Sequence, residues 1–522
     1  MSVHARRLER LLIALAVAGL SACTGLPPRG PAEDSAAFTD TQTTTLGQIA
    51  AGSTPVGHSA FGLLPTGDPA FGARSALAAR AERSLDVQYY HLHSDPAGTE
   101  FLRELRDASR RGVRVRLLVD DLHAVATYPL LKGLAAYAGV QVRLFNPLPT
   151  REGDIETRLV ASMHVFGQVN SRMHNKLFVA DNAVAIFGGR NIADEYFMRH
   201  GEANFVDLDV IAAGPVVQDL SHSFDSYWNS ERAYPLDALF PTPADLAQAR
   251  GVFDQAADAV DLRRLRQVVD QSSRAPITAQ LVAGHLDLHP GNASVYSDPP
   301  SKAWPSQSRK MVPWSTAFSG VTEMIASAQS DVLVVSPYFV PMPRGMNFMK
   351  VLASRGVRMR VYTNSLGSTD ELRVHAAYSK YRAAMLRLGV ELYEFSPDAV
   401  RGSGRFGHFG ESIARLHTKL AIVDGHRLAA GSTNMDGRSA FFNTELAVVI
   451  DCTPLAEEAM RLILGDYQSS MYRLRLAEDG STIEWLLPDA DGTITRTTEE
   501  PHVERISSEP EGPTVFIEDD LL

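Results

Sequence analysis

Cysteine is almost missing from this chain: its 522 residues hold two, Cys23 and Cys452. With Cys23 committed to the modification argued below, no internal disulfide can form, and Cys452 reads as a packed, inert thiol. Long apolar runs are missing too. A membrane-spanning helix needs about 20 apolar residues, and the run Leu11 to Leu20 stops short of that. There is no excess of positive charge: 50 Lys and Arg face 61 Asp and Glu, a formal net charge of −11. Generic attraction to a polyanion is therefore not favoured, which makes nucleic acid an unlikely partner. No dense cluster of His, Asp and Cys has metal-ligand spacing, so neither a metal nor another cofactor is expected. What is present is 45% apolar and 21% charged. That is the composition of a soluble globular protein, long enough for one large core or two ordinary ones.

The first residues read as an export signal. Arg6, Arg7 and Arg10 precede the apolar run, and Leu20-Ser21-Ala22-Cys23 closes it. The closing residues resemble a bacterial lipobox, so residues 1–23 are expected to be a lipoprotein signal peptide with Cys23 lipidated. A plain cleaved secretory peptide is the alternative. Thr24, where an aspartate would hold a lipoprotein at the inner membrane, resembles the pattern sorted to the outer membrane, facing the periplasm. Residues 24–55 are rich in Thr, Ser, Ala, Gly and Pro without a sustained period, and are expected to form a flexible tether.

From there the chain repeats itself. LDVQYY from Leu85 reads as a buried strand, Arg111-Gly112-Val113 leads a second strand, and Gly139-Val140 leads a third. The same series returns as DVLVVSPYF from Asp331, then Arg355-Gly356-Val357, then Gly389-Val390. Helix-like segments with apolar residues three and four apart lie between these strands. Strands alternating with helices predict an α/β domain with a mixed or parallel sheet, present twice, over residues 56–235 and 315–485. The stretch 236–314, with Pro299, Pro300 and Pro305, reads as a linker or insertion. Residues 486–522 read as an acidic tail holding Glu518, Asp519 and Asp520.

The repeats carry chemistry at matching places. His174, Lys176 and Asp181 form H-x-K-x-x-x-x-D in the first, and His417, Lys419 and Asp424 form it in the second. On a strand, residues two apart share a face, so each His and Lys project together and can hold a phosphate. A single such motif is weak, because His and Lys on a strand are usually solvated. Two copies at matching positions of a duplication reverse that weighting. Gly188-Gly189-Arg190-Asn191 and Gly431-Ser432-Thr433-Asn434 follow. Their glycines suit either close approach to a ligand or a tight turn, while Asn191, Asn434 and Ser432 are candidates to bind phosphoryl oxygens. Asp207 and Glu445 each enter a further strand, where a carboxylate can orient an imidazole by accepting from one ring nitrogen.

These paired motifs and turns resemble the phospholipase D superfamily from about Ala81 to Trp485. RRGVRVRLLVDD, MHNKLFVAD, TNSLGSTD and GSTNMDGRSAFFNTE are similar to bacterial cardiolipin synthases of the C type. The resemblance implies a pseudo-twofold fold: two mixed β-sheets flanked by helices, with a single active site at the interface. It also implies a phosphatidyl group passing to phosphatidylglycerol, with phosphatidylethanolamine as donor, through a phosphohistidine. His174 would attack, His417 would protonate the leaving oxygen, and Lys176, Lys419, Asn191 and Asn434 would stabilise phosphoryl charge. Asp181 and Asp424, members of the motif, read as structural ion-pair partners. Hydrolysis to phosphatidate is the runner-up. A nuclease, or a lipid-binding lipoprotein that has lost activity, ranks lower.

Overall fold

The computed structural model describes residues 26–30, 34–151, 153, 155–162, 166–240, 245–260, 275–303, 315–397, 412–488 and 493–502. Cys23, the signal segment and the last acidic residues lie outside them.

The apolar runs of the first repeat form β1 (Ser59–Leu64), β2 (Ser84–Tyr89), β3 (Arg114–Asp120), β4 (Val140–Phe145), β5 (Leu177–Ala180), β6 (Val184–Gly188), β7 (Ala203–Val206), β8 (Asp209–Ala213) and β9 (Ala233–Pro235). After β10 (His289–Ser297), the second repeat forms β11 (Asp331–Val335), β12 (Arg358–Asn364), β13 (Glu391–Phe395), β14 (Ile413–Leu416), β15 (Leu420–Val423), β16 (Arg427–Gly431) and β17 (Leu446–Asp451). Three strands close the chain: β18 (Met471–Leu476), β19 (Ile483–Pro488) and β20 (Ile494–Thr497).

β2, β3 and β4 are parallel, and β5, β6, β8 and β1 extend the sheet antiparallel from the other edge of β2. β11, β12 and β13, with β15, β16 and β17, repeat this arrangement. A parallel pair requires a crossover, and the helix Pro96–Arg110 supplies the first. Asp95 caps it by accepting from Gly98 N at 2.8 Å, Pro96 starts it, and Phe101, Leu102, Leu105 and Ala108 bury one face.

The two sheets lie back to back. Phe61, Leu118, Phe145 and Val210 of the first meet Leu333, Tyr362, Phe395 and Val448 of the second in a shared core. Helices cover the outer faces over separate cores, around Leu85 and Leu102 in one half and Val332 and Met385 in the other. Each such side chain contributes about 1.5–3 kcal/mol by leaving water.

Three stretches depart from the sequence reading. Residues 34–55, expected to be a flexible tether, are folded onto the first half: Ala37 N donates to Asp225 Oδ2 at 2.8 Å and Arg116 to Ser35 O at 2.8 Å. The helix Thr45–Ser53 then buries Leu46 and Ile49, its cap Thr44 accepting from Gly47 N at 3.0 Å. The stretch 236–314 is more than a linker, because β10 pairs with β1 at one end and with β17 along the rest, joining both sheets into one 18-stranded order. The tail begins later than residue 486: β19 and β20 pair, and Glu500 accepts from His375 Nε2 at 2.7 Å and from Arg382 at 2.6 Å.

Candidate active site

The parallel strands β2, β3 and their counterparts β11, β12 end at the seam between the halves, and there the chain hands each motif to its partner repeat. β14, which leads into His417, pairs parallel with β7, which leads into Asp207. Met173, beside His174, bridges Thr444, beside Glu445. Backbone bonds fix both crossings: His417 N donates to Val206 O at 2.8 Å and His174 N to Thr444 O at 2.9 Å. Each motif is steadied from its own half as well. Asp120, at the end of β3, accepts from Met173 N at 2.9 Å and pairs with Arg172, while Asn364, at the end of β12, exchanges bonds with the backbone of Leu416.

The consequence is an exchange of carboxylates. His174 Nδ1 lies 2.9 Å from Glu445 Oε2, and His417 Nδ1 lies 2.6 Å from Asp207 Oδ2. A carboxylate accepting from Nδ1 leaves the lone pair on Nε2 of each ring free. Burial pushes His174 down to about 4 against the pull of Glu445, and it pushes His417 well below the ordinary range, helped by Lys419 and Lys176. Both rings are therefore neutral at pH 7 when the site is empty.

The carboxylates differ. Burial raises Glu445, but His174, Lys176 and the Ser432 hydroxyl bring it below its usual value; Ser439 Oγ donates to it as well, at 2.7 Å. For Asp207, burial outweighs Lys419 and Arg190, and its pKa is raised. Lys176 Nζ donates to His174 O at 2.6 Å and Lys419 Nζ to His417 O at 2.7 Å. Burial takes Lys419 down to about 8 and Lys176 well below its usual value.

Asn191 Nδ2 donates to Tyr196 Oη at 2.9 Å, and the Oδ1 atoms of Asn191 and Asn434 are buried without a partner among the described residues. These orphaned oxygens are acceptors, so a ligand hydroxyl rather than a phosphoryl oxygen would complete them, while the amide N–H groups are the donors available to phosphate.

Other expectations are corrected. Ser432 was expected on the phosphate, but its hydroxyl donates to Glu445 and accepts from Leu446 N at 3.0 Å. Asp181 and Asp424 are not at the site, and among the described residues neither forms an ion pair. Each sits past the far end of its strand, five residues beyond the lysine, so about 16 Å away along the chain. There Asp181 accepts the backbone N–H groups of Glu82, Arg83 and Ser84, and Asp424 those of Gln329, Ser330 and Asp331. Both hold φ near +50°, which Asp tolerates better than most residues. The turn glycines serve a neighbouring strand rather than a ligand: a Cβ on Gly189 would lie 2.3 Å from Asp207 Oδ1, and one on Gly431 2.1 Å from Leu446 O.

Sequence reasoning missed the aromatic walls. Tyr90 stands 5.1 Å from the His174 ring, and Tyr196 and Phe205 stand 5.2 and 5.0 Å from His417. It also missed Ser439 and the Asp120–Arg172 pair. The repeated Arg-x-His of Arg172 and Arg415 was the one available signal for the latter.

Two buried, carboxylate-oriented imidazoles near enough to interact electrostatically, each with a lysine, in a duplicated α/β frame define the class: an enzyme of phosphodiester chemistry. Comparison with known proteins agrees. The profile of the family described as "Cardiolipin synthase, PLD-like domain" matches residues 75–228 and 321–466. Cardiolipin synthase C of Escherichia coli (strain K12) is 36% identical over 420 residues, covering 79% of this chain and 86% of that protein. An uncharacterized protein of Helicobacter pylori (strain ATCC 700392 / 26695) is 30% identical over 467 residues, covering 89% and 90%. The crystal structure of phosphatidylserine synthase from Haemophilus influenzae Rd KW20 shares the fold, with a TM-score of 0.52 at 13% identity over 84% of this chain and 93% of that one. The chain belongs to the cardiolipin synthase family of phospholipase D-like enzymes, phosphatidyltransferases that act on phospholipids.

Proposed function

We propose that this enzyme moves a phosphatidyl group from a donor phospholipid, phosphatidylethanolamine by family resemblance, to the glycerol headgroup of phosphatidylglycerol, forming cardiolipin through a phosphohistidine. The observation that carries the reading is the exchanged pairing, His174 with Glu445 and His417 with Asp207. It leaves two free Nε2 lone pairs at one seam.

The bound anionic phosphodiester favours the imidazolium form of His417, which takes up a proton on Nε2. In the first step His174 Nε2 then attacks phosphorus, the bond to the headgroup oxygen breaks with its electron pair, and that oxygen takes the proton from His417 Nε2. In the second the acceptor O–H attacks phosphorus and passes its proton to His417. The P–N bond breaks with its pair returning to His174. Glu445 compensates the positive charge that His174 acquires when phosphorylated. Lys176, Lys419 and the amides of Asn191 and Asn434 stabilise the phosphoryl oxygens in the five-coordinate transition state. An anionic phosphodiester between the lysines also favours their charged forms.

The same reading has the protein held to the bacterial envelope by lipid on Cys23, at the outer membrane facing the periplasm. Two or more acyl chains give stable anchoring, since each buried CH₂ adds about 0.8 kcal/mol. Among the described residues no helix is long and apolar enough to cross a membrane. A wild-type protein that carries no lipid on Cys23 and fractionates as soluble would overturn this location.

The test of function is incubation of the purified full chain with labelled phosphatidylglycerol, with and without phosphatidylethanolamine, in the presence of a chelator. Cardiolipin with release of ethanolamine is the expected outcome. Phosphatidate as the main product would make the enzyme a hydrolase.

A further inference from the structure

The two halves differ where they flank the catalytic pair. Ser84 opposite Arg114 and Asp331 opposite Arg358 start equivalent strand pairs, and Leu92 and Phe339 make equivalent bridges, to Ile192 and Met435. The residues just before those bridges, His91 and Tyr338, are therefore counterparts. Tyr338 is tied down, its hydroxyl donating to Asp370 Oδ2 at 2.7 Å while its ring lies 6.5 Å from His417. His91 is not: its Nε2 is buried and has no hydrogen-bond partner among the described residues.

His91 is one of a group. Its ring lies 3.9 Å from that of His93 and 4.7 Å from that of His123. Tyr90 links the group to the site, with its hydroxyl 3.0 Å from His123 Nε2, its ring 5.1 Å from His174 and Lys176 Nζ 5.2 Å from its centre. The reaction steps above use none of these three imidazoles.

The chemistry of the group selects its ligand. Burial and the neighbouring cations hold His91 well below the ordinary range and His123 down to about 4. His91 and His123 are uncharged at neutral pH, which disfavours a second phosphate beside them, but a neutral imidazole nitrogen can bond a hydroxyl. A cation is the competing occupant, because ligand atoms of His93, Asp95 and Glu195 lie within 4.8 Å of one another. However, both oxygens of Asp95 already accept backbone N–H groups, from Gly98 at 2.8 Å and Asp194 at 2.7 Å, and His91 lies outside that set.

We propose that His91 Nε2 holds a hydroxyl of the glycerol headgroup that receives the phosphatidyl group, so that His91, His93 and His123 form an acceptor subsite favouring a polyol over water. The inference rests on the transfer reading. Its readout is the ratio of transfer to hydrolysis, which a merely structural role would not move.

The experiment compares wild type, His91→Ala and His91→Gln as full-length proteins on phosphatidylethanolamine vesicles, with phosphatidylglycerol or free glycerol as acceptor. In His91→Ala the ratio of transfer product to phosphatidate should fall about five- to tenfold, the weight of one neutral hydrogen bond. His91→Gln, which keeps a polar group, should recover part of the ratio. An unchanged ratio in His91→Ala, an equal loss of both products, or a ratio that responds to chelator or added zinc would overturn the subsite. A wild type that transfers to neither acceptor would overturn the transfer reading itself.

Discussion

At the scale of single residues, the site's ionisation is set by burial first and by neighbours second, which gives its activity a defined pH window. Lys419 is protonated below about 8, so as pH rises through that value the phosphoryl oxygens lose a cation and kcat/KM should fall beyond the loss that deprotonation of the acid His417 already brings. His174 is neutral above about 4, so kcat/KM should fall again as pH drops through it and the nucleophile is protonated. Glu445 is one of the anions holding Lys419 up. Glu445→Gln should therefore move the alkaline limb to lower pH. It should also cost about a hundredfold or more in kcat, as happens when a buried carboxylate no longer fixes an imidazole's tautomer. A pH–rate profile of both proteins, from pH 4 to pH 10, checks both statements. A limb that stays in place in the variant would mean that Glu445 acts on His174 alone.

At the scale of elements, the repeated motif splits into two jobs. Its histidine and lysine face the seam, while its aspartate secures the turn that launches β2 or β11. Asp181→Asn puts an NH₂ where backbone N–H groups need an acceptor, and should lower stability by about 1–3 kcal/mol while leaving kcat unchanged. Urea unfolding measured beside initial rates separates the two effects, and a large loss of kcat in a folded variant would return Asp181 to the chemistry. Strand position and repeat were legible in the sequence because period, apolar runs and Gly-Val leads recur in both copies. The docking of residues 34–55 was not. Its composition is that of a linker, and its attachment rests on polar contacts to Asp225 and Arg116, far away in sequence, and on burial of Leu46 and Ile49 in the first half's core. The role of Ser432 was hidden for a related reason: a serine after a glycine reads the same whether it faces a phosphate or, as here, Glu445.

At the scale of the whole molecule, the catalytic unit is neither half. A mixture of purified His174→Ala and His417→Ala proteins should remain inactive, because each chain closes its own seam through β7, β14 and β10 and does not lend a repeat to a neighbour. The double variant should be little worse than either single one, as for residues that act as one unit. Restored turnover on mixing would show that repeats exchange between chains.

The exchanged carboxylates bear on descent. A chain of half this length, with one motif and one acid, would own no complete histidine–carboxylate pair, but two copies about a twofold axis would own two. Ancestry through a symmetric pair of identical chains follows from that geometry, with fusion coming later. Fusion then lifted the requirement that both copies stay the same. The differences now seen across the axis, Asp207 against Glu445, Gly189 against Ser432 and His91 against Tyr338, are the specialisations that a symmetric ancestor had no means to keep.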